Sequence, residues 1–160
     1  MAIMKLLTVG EALIDWICTE RGADLAAATH FDKAAGGAPF NVAVGYARLG
    51  GPAAFAGRLG DDPFGAWLGE LLRAEGVDRA LATVAPGLPT RMAFVTTSAD
   101  GDRAFSHFSA GAADEALSAA DLPLDALLGF EALVFGSLPL AVPSARAAVL
   151  NAAKRCRSRA

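Results

Sequence analysis

The sequence predicts an α/β layered domain with parallel strands, and three observations carry that prediction. Short apolar runs ended by glycine, "MKLLTVG" and "AAFAGRLG", alternate with helical text of apolar period near 3.6. The helical stretches bring their own start signals, Pro39 in one and Asp62-Pro63 in the other. Between residues 91 and 108 the pattern changes to two β-rich runs flanking Asp100-Gly101, a hairpin signal.

The first run, "MKLLTVG", reads as an interior strand covered on both faces, and "DWICTE" continues as a second, more exposed strand. A helix starts near Pro39, with Phe40, Val44 and Ala47 on one face and Gly50-Gly51 as its stop. "AAFAGRLG" follows as a core strand. "DDPFGAWLGELLRAEGV" is the second helix, with Asp62 as N-cap, Trp67, Leu68, Leu71 and Leu72 as its apolar face, and Gly76 at its end. The hairpin comes next, antiparallel and outside the parallel sheet, with one wet face. "ADLPLDALLGF" reads as helix and turn, "ALVFGS" as a strand, and the text from Pro143 as a helix started by Pro143 or Ser144. Lys154 to Arg159 carry four positive charges in six positions and read as a solvated end.

With 160 residues, 54% hydrophobic, the chain is long enough for one domain that buries about two-thirds of its unfolded surface. A net charge of -3 with no basic stripe excludes a nucleic-acid footprint. Cys18 and Cys156 lie far apart without metal-type spacing, which fits thiols in a reducing cytosol. Glu11 and Asp15 interrupt the apolar N-terminus, and Glu131 and Pro139 the second apolar region, before either reaches the ~18 residues of a membrane span. No internal repeat is present.

Several chemistries fail on residue identity. Gly45 and Gly50 have Walker A spacing, but Gly51-Pro52 follows where lysine is required. No G-x-G-x-x-G follows "LLTVG", no G-x-S-x-G is present, and His30 and His107 lack companions at metal-ligand spacing. What remains is a helix start at Ala38, a residue with no side-chain oxygen for the first-turn amides, preceded by Gly36-Gly37. Glycines there let a ligand approach the backbone, the amides point at the same place, and Asn41 adds a group that both donates and accepts. Gly10 ends the first strand, where open α/β sheets hold ligands, and Asp15 follows within reach. A carboxylate accepting from neighbouring hydroxyls is a usual sugar grip. The alternatives are a plain tight turn with water on the amides, a solvated turn residue for Asp15, and a strand-end or helix charge for Glu11.

The combination "VGEALID", "GGAPFNVAVGYARLGG" and "AGRLGDDPFG" resembles the ribokinase-like carbohydrate kinases of the phosphofructokinase-B family, in particular its fructokinases, from about Lys5 to about Ala153. The resemblance implies a ribokinase-like three-layer α/β sandwich, here its N-terminal portion within 1–160, with a small β lid from about 15–33 and 91–108. It also implies transfer of the ATP γ-phosphoryl group to a sugar hydroxyl with Mg²⁺, in the cytoplasm. Carried over by position, Asp15 would grip sugar hydroxyls, Gly36, Gly37 and Asn41 would line the pocket, and Gly10 would permit close approach. Phe94 or Phe108 would cover an apolar sugar face, and Ser109 stands where many relatives carry arginine, favouring neutral sugars. Asp61 and Asp62 are helix-cap and packing residues.

The G-A-G-D segment that supplies base and anion hole in such kinases has no convincing match; "GAAD" at 111–114 follows the lid hairpin and is a decoy. No catalytic or metal residue is assigned, ATP and Mg²⁺ have no assigned ligands, and the chain is expected to be inactive by itself. A sugar-binding or regulatory module without turnover is the alternative reading. The arginine-rich segment 154–160 reads as an aberrant tail from a frameshift or premature stop, which would leave an unpaired sheet edge open to self-association, as would the lid.

Overall fold

The computed structural model describes residues 3–107 and 110–157, and in it eight strands divide between two sheets. The first sheet is all parallel, ordered β5-β4-β1-β8, from β1 (Leu6–Val9), β4 (Ala53–Gly60), β5 (Asp78–Ala85) and β8 (Ala132–Phe135). β1 lies second from one edge and is buried along its whole length, as its unbroken apolar text requires.

Alternation along β4 decides which helices cover which face. Ala53 and Phe55 join α1 (Ala38–Arg48) and α2 (Pro63–Ala74) in one core with Phe40, Val44, Leu68 and Leu72. Phe40 meets Phe55 edge-on, ring centroids 5.7 Å apart. Ala54 and Ala56 face the opposite core, built with Leu7, Leu117, Leu122 and Leu127 and with Ala145, Ala148 and Val149 of α4 (Pro143–Arg157). Helices, sheet and helices are the three expected layers.

The second sheet, ordered β3-β2-β6-β7, is the lid. It contains β2 (Leu13–Cys18), β3 (Phe31–Gly36), β6 (Arg91–Thr97) and β7 (Arg103–His107). β6 and β7 pair antiparallel across a turn in which Gly101 takes φ +99°, as the Asp100-Gly101 signal predicts. Trp16 packs edge-on against Phe64 at 5.8 Å, and Lys33 Nζ lies 3.9 Å above the Trp67 ring, so the lid is rooted on α2.

Several elements differ from the sequence reading. The strand β3 runs three residues past the expected lid element and has no strand signal of its own in the sequence; "FDKAAG" is held by pairing with β2. The edge strand β5 begins with exposed Asp78 and Arg79, which mask it as a loop. The cap of α1 is Gly37, one residue earlier than expected, so Ala38 is already helical. The expected helix in 120–130 shrinks to α3 (Leu124–Leu127). Residues 154–157, the described part of the segment read as a tail, are helical and form the last turn of α4, where their positive charges suit the helix's negative C-terminal end. Residues 158–160 of that expectation lie outside the described residues.

Asp62 performs the predicted capping and more. Its Oδ1 accepts from Phe64 N at 3.0 Å and Gly65 N at 2.8 Å, and it also bonds Thr90 through the hydroxyl at 2.7 Å and the amide at 2.6 Å. Burial pushes this carboxyl up, but the hydrogen bonds from Thr90, Gly65 and Phe64 outweigh it and hold it below its ordinary value. Stability from Asp62 is therefore present at neutral pH and lost as pH falls through the depressed value. Asp62→Ala is expected to cost about 2 kcal/mol in thermal or urea melts at pH 7, and the difference from wild type should narrow in acid.

Candidate functional site

The candidate site lies where the lid sheet joins the body. β1 ends at Gly10 (φ +152°), and the chain passes through Glu11 and Ala12 into β2. It returns along β3 and turns through Gly36-Gly37 into α1. A Cβ at Gly10 would stand 2.5 Å from Pro39 Cγ, and one at Gly37 (φ +99°) would fall on the Glu11 carbonyl oxygen. Both glycines are required by the closeness of strand end and helix start.

Asp15 is half-buried on β2, and its registered neighbours on both sides are alanines, Ala34 of β3 and Ala93 of β6. A Cβ added to Gly36 would land on Asp15 Oδ2 and stand 2.7 Å from its Cγ. The carboxylate thus lies over Gly36, one residue from the cap of α1. Asn41 is exposed one turn along the helix, its own N–H bonded to Gly37 O at 2.9 Å. Asp15, Gly36 and Gly37 are brought together and Asn41 is one helical turn away, while Gly10 lies beneath Pro39 and does not line the same surface.

The first-turn amides are fewer than the sequence reading supposed. Pro39 has none, and Ala38 N–H donates to Glu11 Oε1 at 3.1 Å. Among the described residues, Phe40 N–H is the one helical first-turn amide before Asn41 for which no partner is found. Glu11 is thus the missing N-cap, reaching from another element. Its side chain is only 2% exposed and its Oε2 has no hydrogen-bond partner. Burial raises this carboxyl above its usual range against lowering by its own backbone amide and those of Ala38 and Leu138, and the charge of Asp114 adds a little to the rise.

Asp114 is itself 1% exposed and bonded to Arg91 Nε at 3.0 and 2.9 Å, while Arg91 also reaches Glu115 Oε1 at 2.7 Å. The "GAAD" segment is accordingly structural: its aspartate closes an ion pair that ties the start of β6 to the body. Sequence reasoning did not single out Glu11 as a cap, nor Arg91 and Asp114 as a pair. An acid immediately after a strand-ending glycine, 27 residues ahead of a helix without a capping side chain, was the available signal for the first.

The register also moves Phe94. It pairs with Trp16, and Asp15 pairs with Ala93, so Phe94 faces away from Asp15 and packs against Phe31 at 5.4 Å. It does not cover a ligand held by Asp15. Phe108 and Ser109 lie outside the described residues. Asp61 accepts from Gly87 N at 3.0 Å, a packing role as expected. His30 sits beside Glu20 and Thr29, and among the described residues no group of three metal-ligating side chains occurs.

Comparison with known proteins decides the family. The profile of the pfkB family carbohydrate kinases matches residues 4–160. The chain belongs to this family. It is 43% identical over 147 residues to fructokinase-2 of Solanum lycopersicum and 44% identical over 147 residues to fructokinase-1 of Oryza sativa subsp. japonica. In both cases 92% of this pfkB chain is aligned, with 45% and 46% of the relative. Among solved structures it is similar to an uncharacterized sugar kinase from Pyrococcus horikoshii in complex with ATP (TM-score 0.88, 32% identity, 97% of this chain and 50% of that one). The fructokinase of Xylella fastidiosa with bound ATP gives 0.83 at 29% identity, covering 98% and 49%. The chain spans about half the length of the relatives it matches.

ATP and Mg²⁺, implied by the family, were tested against the residues present. The half-buried acid at the site is Asp15, Glu11 and Asp114 are buried acids near the start of α1, and Arg91 is already paired. That donor set suits hydroxyls and repels a triphosphate. The acids around Asp15 do not fit a triphosphate, and no step through ATP is derived.

Gly36→Ala is expected to destabilise the pfkB chain by about 1–3 kcal/mol in urea melts, because the new methyl must displace Asp15 or Leu13. Gly45→Ala, in α1 with open space around it, is the control and should stabilise by up to about 1 kcal/mol.

Proposed function

We propose that this chain is the sugar-binding, lid-bearing portion of a fructokinase-like, ATP-dependent carbohydrate kinase, and that the sugar is held between Asp15 and the start of α1. The observation that carries the reading is the Asp15 carboxylate, flanked by Ala34 and Ala93 and lying over Gly36. A carboxylate accepts from two vicinal hydroxyls, the Phe40 amide and the Asn41 side chain are donors in the first turn of α1, and Gly36 and Gly37 remove side chains from the approach. Identity of 43% with a protein named fructokinase supports a neutral ketose as ligand. We place the protein in the cytoplasm, which suits the two free thiols; among the described residues no helix is long and apolar enough to cross a membrane. Exposed Ile17 and Phe105 on the lid, and Val134 and Phe135 along the β8 edge, are the surfaces on which two copies would pair.

Phosphoryl transfer in this reading belongs to a complete kinase. The acidic cleft described above does not supply an anion hole, so this chain alone is expected to bind sugar without turnover.

Calorimetry with fructose, ribose and glucose tests the assignment. Saturable binding of one sugar is expected, weakened at least tenfold by Asp15→Ala in a variant that still melts cooperatively. Unchanged affinity in Asp15→Ala would remove Asp15 from the site. A coupled ADP-release assay with Mg-ATP and fructose is expected to stay at background, and turnover at ordinary kinase rates would contradict the division of labour.

A further inference from the structure

Glu11 is expensive to keep where it is. A carboxylate 2% exposed, with one oxygen unpartnered and a second acid nearby, costs folding stability that an amide or apolar side chain of the same size would not. The groups packed against it offer little compensation. The α1 start brings Ala38 and Pro39, the segment after β8 brings Gly136 to Leu138 with no titratable side chain, and the 113–116 turn brings Asp114, whose charge is taken by Arg91. Gly136 lies so close that a Cβ there would stand 2.8 Å from Glu11 Oε2. The Glu11 side chain accepts from the first amide of the helix beside Asp15, and the backbone amides of Glu11 and Leu138 add weaker support.

We propose that Glu11 is a positioning residue for the sugar cleft: its carboxylate stands in for the absent N-cap side chain of α1 and fixes the Gly36–Ala38 turn, so that the free Phe40 amide and Asn41 face the ligand gripped by Asp15. The proposal rests on the sugar-site reading above and deepens it. The backbone agrees with this role, because Gly37 is pressed on the Glu11 carbonyl while Ala38 is bonded to its side chain, so one residue holds the turn at two points. A charged acceptor at a helix N-terminus is stronger than a neutral one, so the hold is firmest when Glu11 is ionised.

Stability and affinity should therefore move in opposite directions. Folding favours the protonated form of an acid whose value is raised, so the stability it lends is present in acid and lost as pH rises through that value. Sugar affinity should instead increase over the same range, as the carboxylate forms.

The test compares wild type, Glu11→Gln and Glu11→Ala by thermal melts, fructose calorimetry from pH 5 to 9, and amide hydrogen exchange. Glu11→Gln keeps an oxygen for Ala38 but removes the charge. It is expected to melt at or above the wild-type temperature at high pH, to bind fructose at least threefold more weakly there, and to lose the pH dependence. Subtracting its profile from that of wild type also removes any contribution of Asp114, which titrates in both. Glu11→Ala is expected to bind at least tenfold more weakly and to exchange the Ala38 amide at least tenfold faster, while the Gly65 amide under Asp62 stays protected as a control for folding. Wild-type affinity in folded Glu11→Ala, or a Glu11→Gln profile parallel to wild type, would overturn the proposal. Should wild type bind no sugar, the sugar reading fails and with it the cleft role; unchanged Ala38 exchange in Glu11→Ala would overturn the hold on the turn itself.

Discussion

The close approach of Pro39 to the ends of two strands is the constraint on which the cleft depends. A methyl group at Gly10 would stand 2.5 Å from the proline ring, and one at Gly136 would overlap it, so the ends of β1 and β8 meet the first turn of α1 with no side chain between. That contact sets where α1 begins. It also explains why the helix is capped from a distance: Gly37, at φ +99°, has no side chain to offer, and the nearest acceptor is the residue after Gly10. With α1 fixed, β3 must enter it through Gly36, and pairing with β2 then brings Asp15 over that glycine.

The lid is held as firmly at its root as the cleft requires. Trp16 and Lys33 lie on the opposite face of the lid sheet from Asp15 and pack on Phe64 and Trp67 of α2, while Arg91 anchors the start of β6 to Asp114. Apolar and ionic contacts thus occupy one end and the face opposite Asp15. The exposed edge strand β8 is the other open feature, and the chain covers about half of its relatives.

Much of this was legible in the sequence, because the relevant residues act locally. β4 is the stretch "AAFAGRLG", Asp62 caps as its spacing indicates, and Gly50, Gly76 and Gly101 take the positive φ that their turns need. What escaped is non-local. β3 exists through its ladder with β2 and carries no alternation of its own; β5 is an edge strand opened by charges; Phe94 needed the β2–β6 register before its face was known. Glu11 escaped because its partner is 27 residues away, so the helix start looked uncapped when it was capped from across the fold. The first-turn amides expected there reduce to that of Phe40.

Nuclear magnetic resonance of the labelled chain during a fructose titration tests the central claim most directly. The account predicts that the Asp15 carboxyl carbon and the Gly36, Gly37 and Phe40 amides shift together along one saturation curve. Shifts confined to other parts of the fold, with these four signals unmoved, would contradict it.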